Sequence, residues 1–205
     1  MNNAHDHLEI EVKFHLTQPE DLTRRITDLG ATVHPRIFEV NLRFEDAHHT
    51  LQADQKLLRL RQDDACRLTF KSRPKKMDTE CKVYRELEVA VSDFDTMQGI
   101  LNAMGFHVVQ TYEKWRQKFE WKDVELCMDT MPYGHFLEIE GAEADIKGVA
   151  AHLGLPWEKR ILSNYLAMFE MVRTRHNLPF DDLTFSNFKP YAVDLAPLWI
   201  ELEAG

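Results

Sequence analysis

The 205-residue chain carries 34 Asp and Glu against 25 Lys and Arg, a formal net charge of -9 at pH 7, with 44% hydrophobic and 29% charged residues. That is a globular composition with room for one large domain or two small ones, and its acidity argues against a general nucleic-acid binder, which needs a basic face. No apolar run reaches the roughly 18 residues of a membrane span and no basic-then-apolar leader opens the chain, so no membrane association and a cytoplasmic location are expected.

The first segment with a clear period is "HLEIEVKF" (7–14). Glu9, Glu11 and Lys13 alternate with Leu8, Ile10, Val12 and Phe14, the period of two that marks a strand. A helix follows over about 18–29, with Thr17 and Glu20 spaced as a capping box and Gly30 as its stop. "TVHPRIFEVNLRFED" reads as extended. Strands at about 57–62 and 66–73 form a hairpin turning near "QDDA", and "KVYRELEVAV" is another alternating strand. A second helix is capped by Ser92 and Asp95, lined by Met97, Ile100, Leu101 and Met104, and ended by Gly105. Three more strands, "HVVQTYEKWRQKFEWK", "VELCMDTM" and "HFLEIEG", precede a short helix in "AEADIKGVAAHLGL" and an amphipathic one in "ILSNYLAMFEMVRTRH". Residues 1–178 read as one domain. The tail 179–205 is less regular, but its Phe, Leu and Trp content predicts a docked extension. Strand, helix, Gly and strand recur in both halves, which suggests two β–helix–β units.

Charge is unevenly spread. Between Lys56 and Arg85 ten Lys and Arg stand against four acids, which favours an anionic ligand of limited size over a polymer. Cys66, Cys81 and Cys127 lie far apart without CxxC spacing, a pattern of neither a disulfide framework nor a zinc site. His5, His7, His48 and His49 read as surface groups, and the remaining histidines have no ligand-like spacing.

The split into a charged and an apolar face recurs in at least six strands. Arg59 and Arg61 oppose Leu58 and Leu60. Lys71 and Arg73 share a face, as do Glu86 and Glu88, Lys114 and Arg116, and Glu138 and Glu140, while "LCMDTM" carries Asp129. One such strand is an ordinary sheet with a wet face. A set in which whole strands are cationic and others acidic suggests ligands of both signs, because neighbouring like charges repel. About eight antiparallel strands can close into a barrel. The expected fold is therefore α+β: an eight-stranded antiparallel β-barrel, helices outside, charged faces inward. The lumen would hold an acidic group (Glu9, Glu11, Asp129, Glu138 and Glu140, with Glu86 and Glu88) and a basic one (Lys13, Arg59, Arg61, Lys71, Arg73, Lys114 and Arg116). Clustered carboxylates suit Mg2+ or Mn2+, and Arg and Lys arrays suit phosphate oxygens.

The series "EIEVKF", "LLRLR", "LTFKSR", "YRELEV", "EKWRQKF" and "ELCMDTMPYGHFLEIEG" resembles, in order, the CYTH superfamily of triphosphate tunnel metalloenzymes, over residues 8 to about 170. The resemblance implies a tunnel holding a small-molecule triphosphate on divalent metal. It implies metal ligation by Glu9, Glu11, Glu138 and Glu140, a second metal held or oriented by Asp129, and phosphate binding by Lys13, Arg59, Arg61, Lys71, Arg73, Lys114 and Arg116. Glu86 and Glu88 would anchor the cations. Activities implied are triphosphate hydrolysis, with ATP cyclisation to cyclic AMP as the alternative and a non-catalytic polyphosphate binder behind both. The apolar face of "YLAMFEM" together with the resemblance is compatible with a homodimer.

Overall fold

The computed structural model describes residues 8–74, 79–193 and 195–203. Lys75, Lys76 and Asp78 of the basic segment, and His5 and His7, lie outside them. The strands are β1 (Leu8–Leu16), β2 (Thr32–Glu45), β3 (Leu57–Gln62), β4 (Cys66–Ser72), β5 (Lys82–Val91), β6 (His107–Trp121), β7 (Val124–Met131) and β8 (Gly134–Glu140). All neighbours pair antiparallel, and the ring closes in the order β1-β5-β4-β3-β2-β6-β7-β8. Helices α1 (Pro19–Asp28), α2 (Thr50–Ala53), α3 (Phe94–Ala103), α4 (Glu143–His152), α5 (Tyr165–His176), α6 (Phe185–Phe188) and α7 (Ala196–Leu202) complete the chain. The ring order maps onto itself when β1 exchanges with β5, β2 with β6, β3 with β7 and β4 with β8. α1 bridges β1 to β2 as α3 bridges β5 to β6, so the two β–helix–β units take equivalent places.

Over most of the ring, alternation sends apolar side chains outward, and helices cover them. Val12, Phe14, Leu126, Leu137 and Ile139 meet Leu22 and Ile26 of α1 and Ile146, Val149 and Ala150 of α4. Phe44, Leu58 and Leu60 meet Leu101 and Met97 of α3. Met131 and Phe136, by contrast, share the inward face with Asp129 and Glu138, and with Tyr133 they meet Met168, Phe169 and Val172 of α5 and Leu178, Leu183, Phe188, Leu198 and Leu202 of the tail, in a cluster that includes the cavity residues Tyr112 and Tyr165. Each fully buried Leu, Ile or Phe contributes about 1.5–3 kcal/mol, so the apolar stabilisation lies mostly between sheet and helices, with one cluster reaching the inward face beside the charged lumen. None of the described helices is long and apolar enough to cross a membrane.

Two helix starts differ from expectation. α1 begins at Pro19 after Gln18, and no side chain caps it. Proline at the first position has no N–H to satisfy, and Glu20 and Asp21 in the first turn face the positive helix end, so the Thr17–Glu20 box is not needed. In α3 the cap is Asp93 rather than Ser92 or Asp95: its carboxylate accepts from the Thr96 N–H at 2.7 Å. Gly30 and Gly105 follow the two helices at φ +80 and +93, where a side chain would be strained.

The strands have unequal reach, which leaves two edges open. β7 pairs with β6 only from Trp115 onward. Earlier on β6, Leu183 of the tail forms a parallel bridge with Tyr112: its N–H donates to Thr111 O and its carbonyl accepts from Glu113 N–H, both at 2.9 Å. β5 pairs with β1 only through Glu11. Beyond it Lys13 exchanges backbone hydrogen bonds with Ile161 at 3.1 and 2.7 Å, and Ile161 in turn bridges to Glu203. Segments after α4 therefore seal the ring.

Candidate functional site: the charged tunnel

The inward faces enclose a cavity of about 990 Å³. Every sequence-predicted site residue lines it except Asp129: Glu9, Glu11 and Lys13 from β1, Arg59 and Arg61 from β3, Lys71 from β4, Glu86 and Glu88 from β5, Lys114 and Arg116 from β6, and Glu138 and Glu140 from β8. Arg73 also reaches it, but β4 ends at Ser72, so Arg73 stands exposed beyond the strand.

The charges interleave instead of forming one acidic and one basic bank. Lys13, 2% exposed, lies 3.0 Å from Glu11 and 2.8 Å from Glu138. Lys71 bridges Glu9 and Glu86. Arg61 reaches Asp63 at 3.1 Å and Glu88 at 3.5 Å, and Arg59 reaches Glu88 at 3.7 Å. Lys114 lies 3.5 Å from Glu39 and 3.0 Å from Asp129, and Arg116 pairs with Asp129 and Glu138. A buried charge without a counter-charge costs several kcal/mol, so a protein that holds cations in its lumen must supply carboxylates to hold them there.

Asp129 is such a counter-charge. It is fully buried. Oδ1 accepts from Arg116 Nε at 2.7 Å, and Oδ2 accepts from Lys114 Nζ at 3.0 Å, Arg116 Nη2 at 2.6 Å and the Tyr165 hydroxyl at 2.9 Å. The residue expected at a second metal shares the inward face with its register partner Arg116, but its buried oxygens are taken up by Arg116, Lys114 and Tyr165.

Protonation divides the carboxylates. Burial disfavours ionised Glu11, but Lys13 and Lys82 outweigh it and hold its pKa at about 2. Burial is likewise overcome at Glu138, by Lys13 and Arg116, which keep it well below the usual range, and at Glu39, held at about 2 by Lys114, Arg116 and Arg61. At Glu9 burial wins, reinforced by Glu11 and Glu86 against Lys71, and the pKa rises to about 7. Glu140 rises to about 8 through burial and the nearby Glu9, Glu125 and Glu11.

Glu9, Glu11, Glu138 and Glu140 supply carboxylate oxygens from adjacent strands, the donor chemistry of a hard divalent cation. The mutual repulsion that raises Glu9 and Glu140 is the kind a dication relieves. In the arrangement described, no three His, Cys, Asp or Glu among the described residues converge on one point; Glu9, Glu11 and Glu138 are turned to lysines.

Several lumen residues escaped sequence reasoning. Glu39 belongs to "FEVNLRFE", whose alternation of Phe38, Val40, Leu42 and Phe44 with Glu39, Asn41, Arg43 and Glu45 carried the same signal as the other strands. Lys82 and Tyr84 share the face of Glu86 and Glu88, and Tyr112 that of Lys114. Tyr165 enters from α5, and no strand period points to it.

The family model of the CYTH domain matches residues 7–153. This chain belongs to the CYTH domain family. It is 26% identical over 140 residues to a Methanocaldococcus jannaschii protein named "putative adenylate cyclase", covering 68% of this chain and 79% of that one. Its fold resembles the solved structure of a Vibrio parahaemolyticus protein of the same description, with a TM-score of 0.72 at 18% identity over 81% of this chain and 99% of that one. It also resembles a Hippeastrum protein described as a "putative adenylyl cyclase" that reveals a dominant triphosphatase activity, with a TM-score of 0.57 at 19% identity over 80% of this chain and 95% of that one.

Proposed function

We propose that this protein hydrolyses a small-molecule triphosphate inside the tunnel in the presence of Mg2+ or Mn2+. The observation that carries it is one cavity of about 990 Å³ lined by Lys13, Arg59, Arg61, Lys71, Arg73, Lys114 and Arg116 together with Glu9, Glu11, Glu138 and Glu140. Phosphoryl transfer is mostly positioning and charge neutralisation, and this lumen is equipped for both.

The Arg and Lys side chains grip the phosphate oxygens. Arg59 and Arg61 suit a planar two-pronged contact, whereas Lys13, Lys71 and Lys114 act as point charges. Each is held at the wall by the carboxylate it pairs with: Glu86 and Glu88 anchor Lys71, Arg59 and Arg61, and Asp129 and Glu39 anchor Lys114 and Arg116. We assign Asp129 to anchoring rather than to ligation, since its oxygens are engaged by three side chains. Glu9, Glu11, Glu138 and Glu140 would hold the divalent cation. When bound, it supplies charge neutralisation at the phosphate and a more acidic attacking water. Without the cation, burial and the neighbouring Glu11 and Glu86 raise Glu9 to about 7, so cation binding near neutrality would displace its proton.

Cyclisation of ATP is the second reading. It is supported by the name of the Methanocaldococcus relative and by the uncharged part of the cavity lining, where Leu57, Val109 and Leu166 with Gln52, Gln55 and Gln110 offer contacts to an organic group. Incubation with Mg2+ or Mn2+ and tripolyphosphate or ATP decides. Orthophosphate release is expected; cyclic AMP with pyrophosphate would replace the first reading by the second.

A further inference from the structure

Tyr165 is the first residue of α5 and lies beyond the residues matched by the family model. Its hydroxyl donates to Asp129 Oδ2 at 2.9 Å. The face of its ring lies 4.9 Å from Lys13 Nζ and 5.5 Å from Lys114 Nζ. Three supports fix the ring. Asn164 caps the helix through the Ala167 N–H at 2.8 Å, the Tyr133 hydroxyl donates to the Tyr165 carbonyl at 3.0 Å, and Phe136 packs edge-on at 5.3 Å. Behind it, α5 is held by tail residues including Leu183, Phe188 and Leu198.

We propose that Tyr165 is a positioning residue for the tunnel's phosphate-binding lysines, an inference that rests on the triphosphate reading above. A lysine ammonium is a compact charge on a flexible stem. In the free tunnel Lys13 turns to Glu11 and Glu138, and Lys114 to Glu39 and Asp129. An entering phosphate competes with those carboxylates for the same N–H donors. The π-face attracts the cation without claiming a particular donor, so it keeps both ammonium groups near the lumen while their hydrogen bonds are exchanged. The hydroxyl meanwhile keeps the Asp129 carboxylate aligned under Lys114 and Arg116. One ring thus serves two cations and the anion behind them, and the C-terminal segments that pack α5 in place become part of the phosphate grip.

The test is the KM for tripolyphosphate or ATP, whichever the wild-type protein turns over, in three variants with their thermal midpoints. Tyr165→Phe keeps the ring and loses the bond to Asp129, for a rise in KM of roughly fivefold. Tyr165→Leu loses both, for a rise of roughly twentyfold. Leu101→Ala removes buried packing under α3, in a cluster that does not include Tyr165; it should lower the thermal midpoint and leave KM within about twofold. An unchanged KM in Tyr165→Phe overturns the inference even where Tyr165→Leu does not fold. So does a Leu101→Ala variant whose KM rises as far as that of Tyr165→Leu, because loss of packing anywhere in the fold would then account for both. A wild-type protein that neither binds nor turns over a triphosphate overturns the functional reading, and this inference with it.

Discussion

Glu11 on β1 and Glu140 on β8 are register partners, and both face the cavity. Their carboxyl groups nevertheless sit at about 2 and about 8. Burial works in the same direction on both. Around Glu11 stand Lys13 and Lys82, whereas around Glu140 stand Glu9, Glu125 and Glu11 itself. The identity of the neighbours, more than burial, decides whether a tunnel carboxylate is a counter-ion or a group in need of one. The tunnel thus has a self-neutralised region around Lys13 and a region around Glu9 and Glu140 with surplus negative charge.

The largest expected effect comes from removing one carboxylate of each region at once. Glu9→Gln with Glu11→Gln should cut metal-dependent turnover by roughly 10³-fold while the far-ultraviolet circular dichroism stays native; retained turnover would refute the assignment of these carboxylates. Next, Lys13→Met leaves Glu11 and Glu138 buried without their shared cation. Its expected cost is about 3–5 kcal/mol in denaturant unfolding, and a loss below about 1 kcal/mol would mean that the two regions do not differ as described.

A third test uses pH. Glu9 and Glu140 have folded-state pKa values of about 7 and 8, above the ordinary 4.5. The folded state therefore binds more protons than the unfolded one across that interval. Their contribution to stability is complete below pH 4.5 and is lost as pH rises through 7 and 8. Glu11, lowered to about 2, contributes above 4.5 and fails only in acid. The thermal midpoint measured in chelator should accordingly fall by roughly 5 °C between pH 5.5 and 8.5, and Mg2+ should recover much of the loss at the alkaline end. A flat profile would place the two groups at ordinary values. The smallest effect has the opposite sign to the usual one. Glu140→Gln should raise stability in chelator at pH 8.5 by about 1 kcal/mol and flatten the pH slope, whereas destabilisation there would show that Glu140 already has a partner.

Much of the fold was legible because a strand's period of two is local. The alternations at Glu9–Lys13, Arg59–Arg61 and Glu138–Glu140 each named their inward side before any partner was known. Helix caps were less legible, since Pro19 and Asp93 competed with equally good neighbours, Thr17 and Ser92 or Asp95. Site architecture was the least legible. Nothing in "LCMDTM" says that Asp129 will be taken up by Arg116, because that depends on register between β6 and β7, where the two residues are partners. Interleaving of the charges has the same origin: Lys71 lies opposite Glu86 through the β4–β5 register, and Lys13 opposite Glu138 through that of β1 and β8. Tyr165 was invisible for a different reason: a helix brings it to a sheet whose own pattern never mentions it.

The bridges at Leu183 and Ile161 have a consequence for solubility. An unpaired strand edge invites another chain to add a strand, and a closed ring is protected only where every strand reaches its neighbour. Thr111–Glu113 of β6 and Lys13 of β1 are where the ring falls short, and single residues from the C-terminal third occupy both places. Loss of the segment around Leu183 would offer the free N–H and C=O groups of β6 as a template to a second copy, and aggregation would be its first sign.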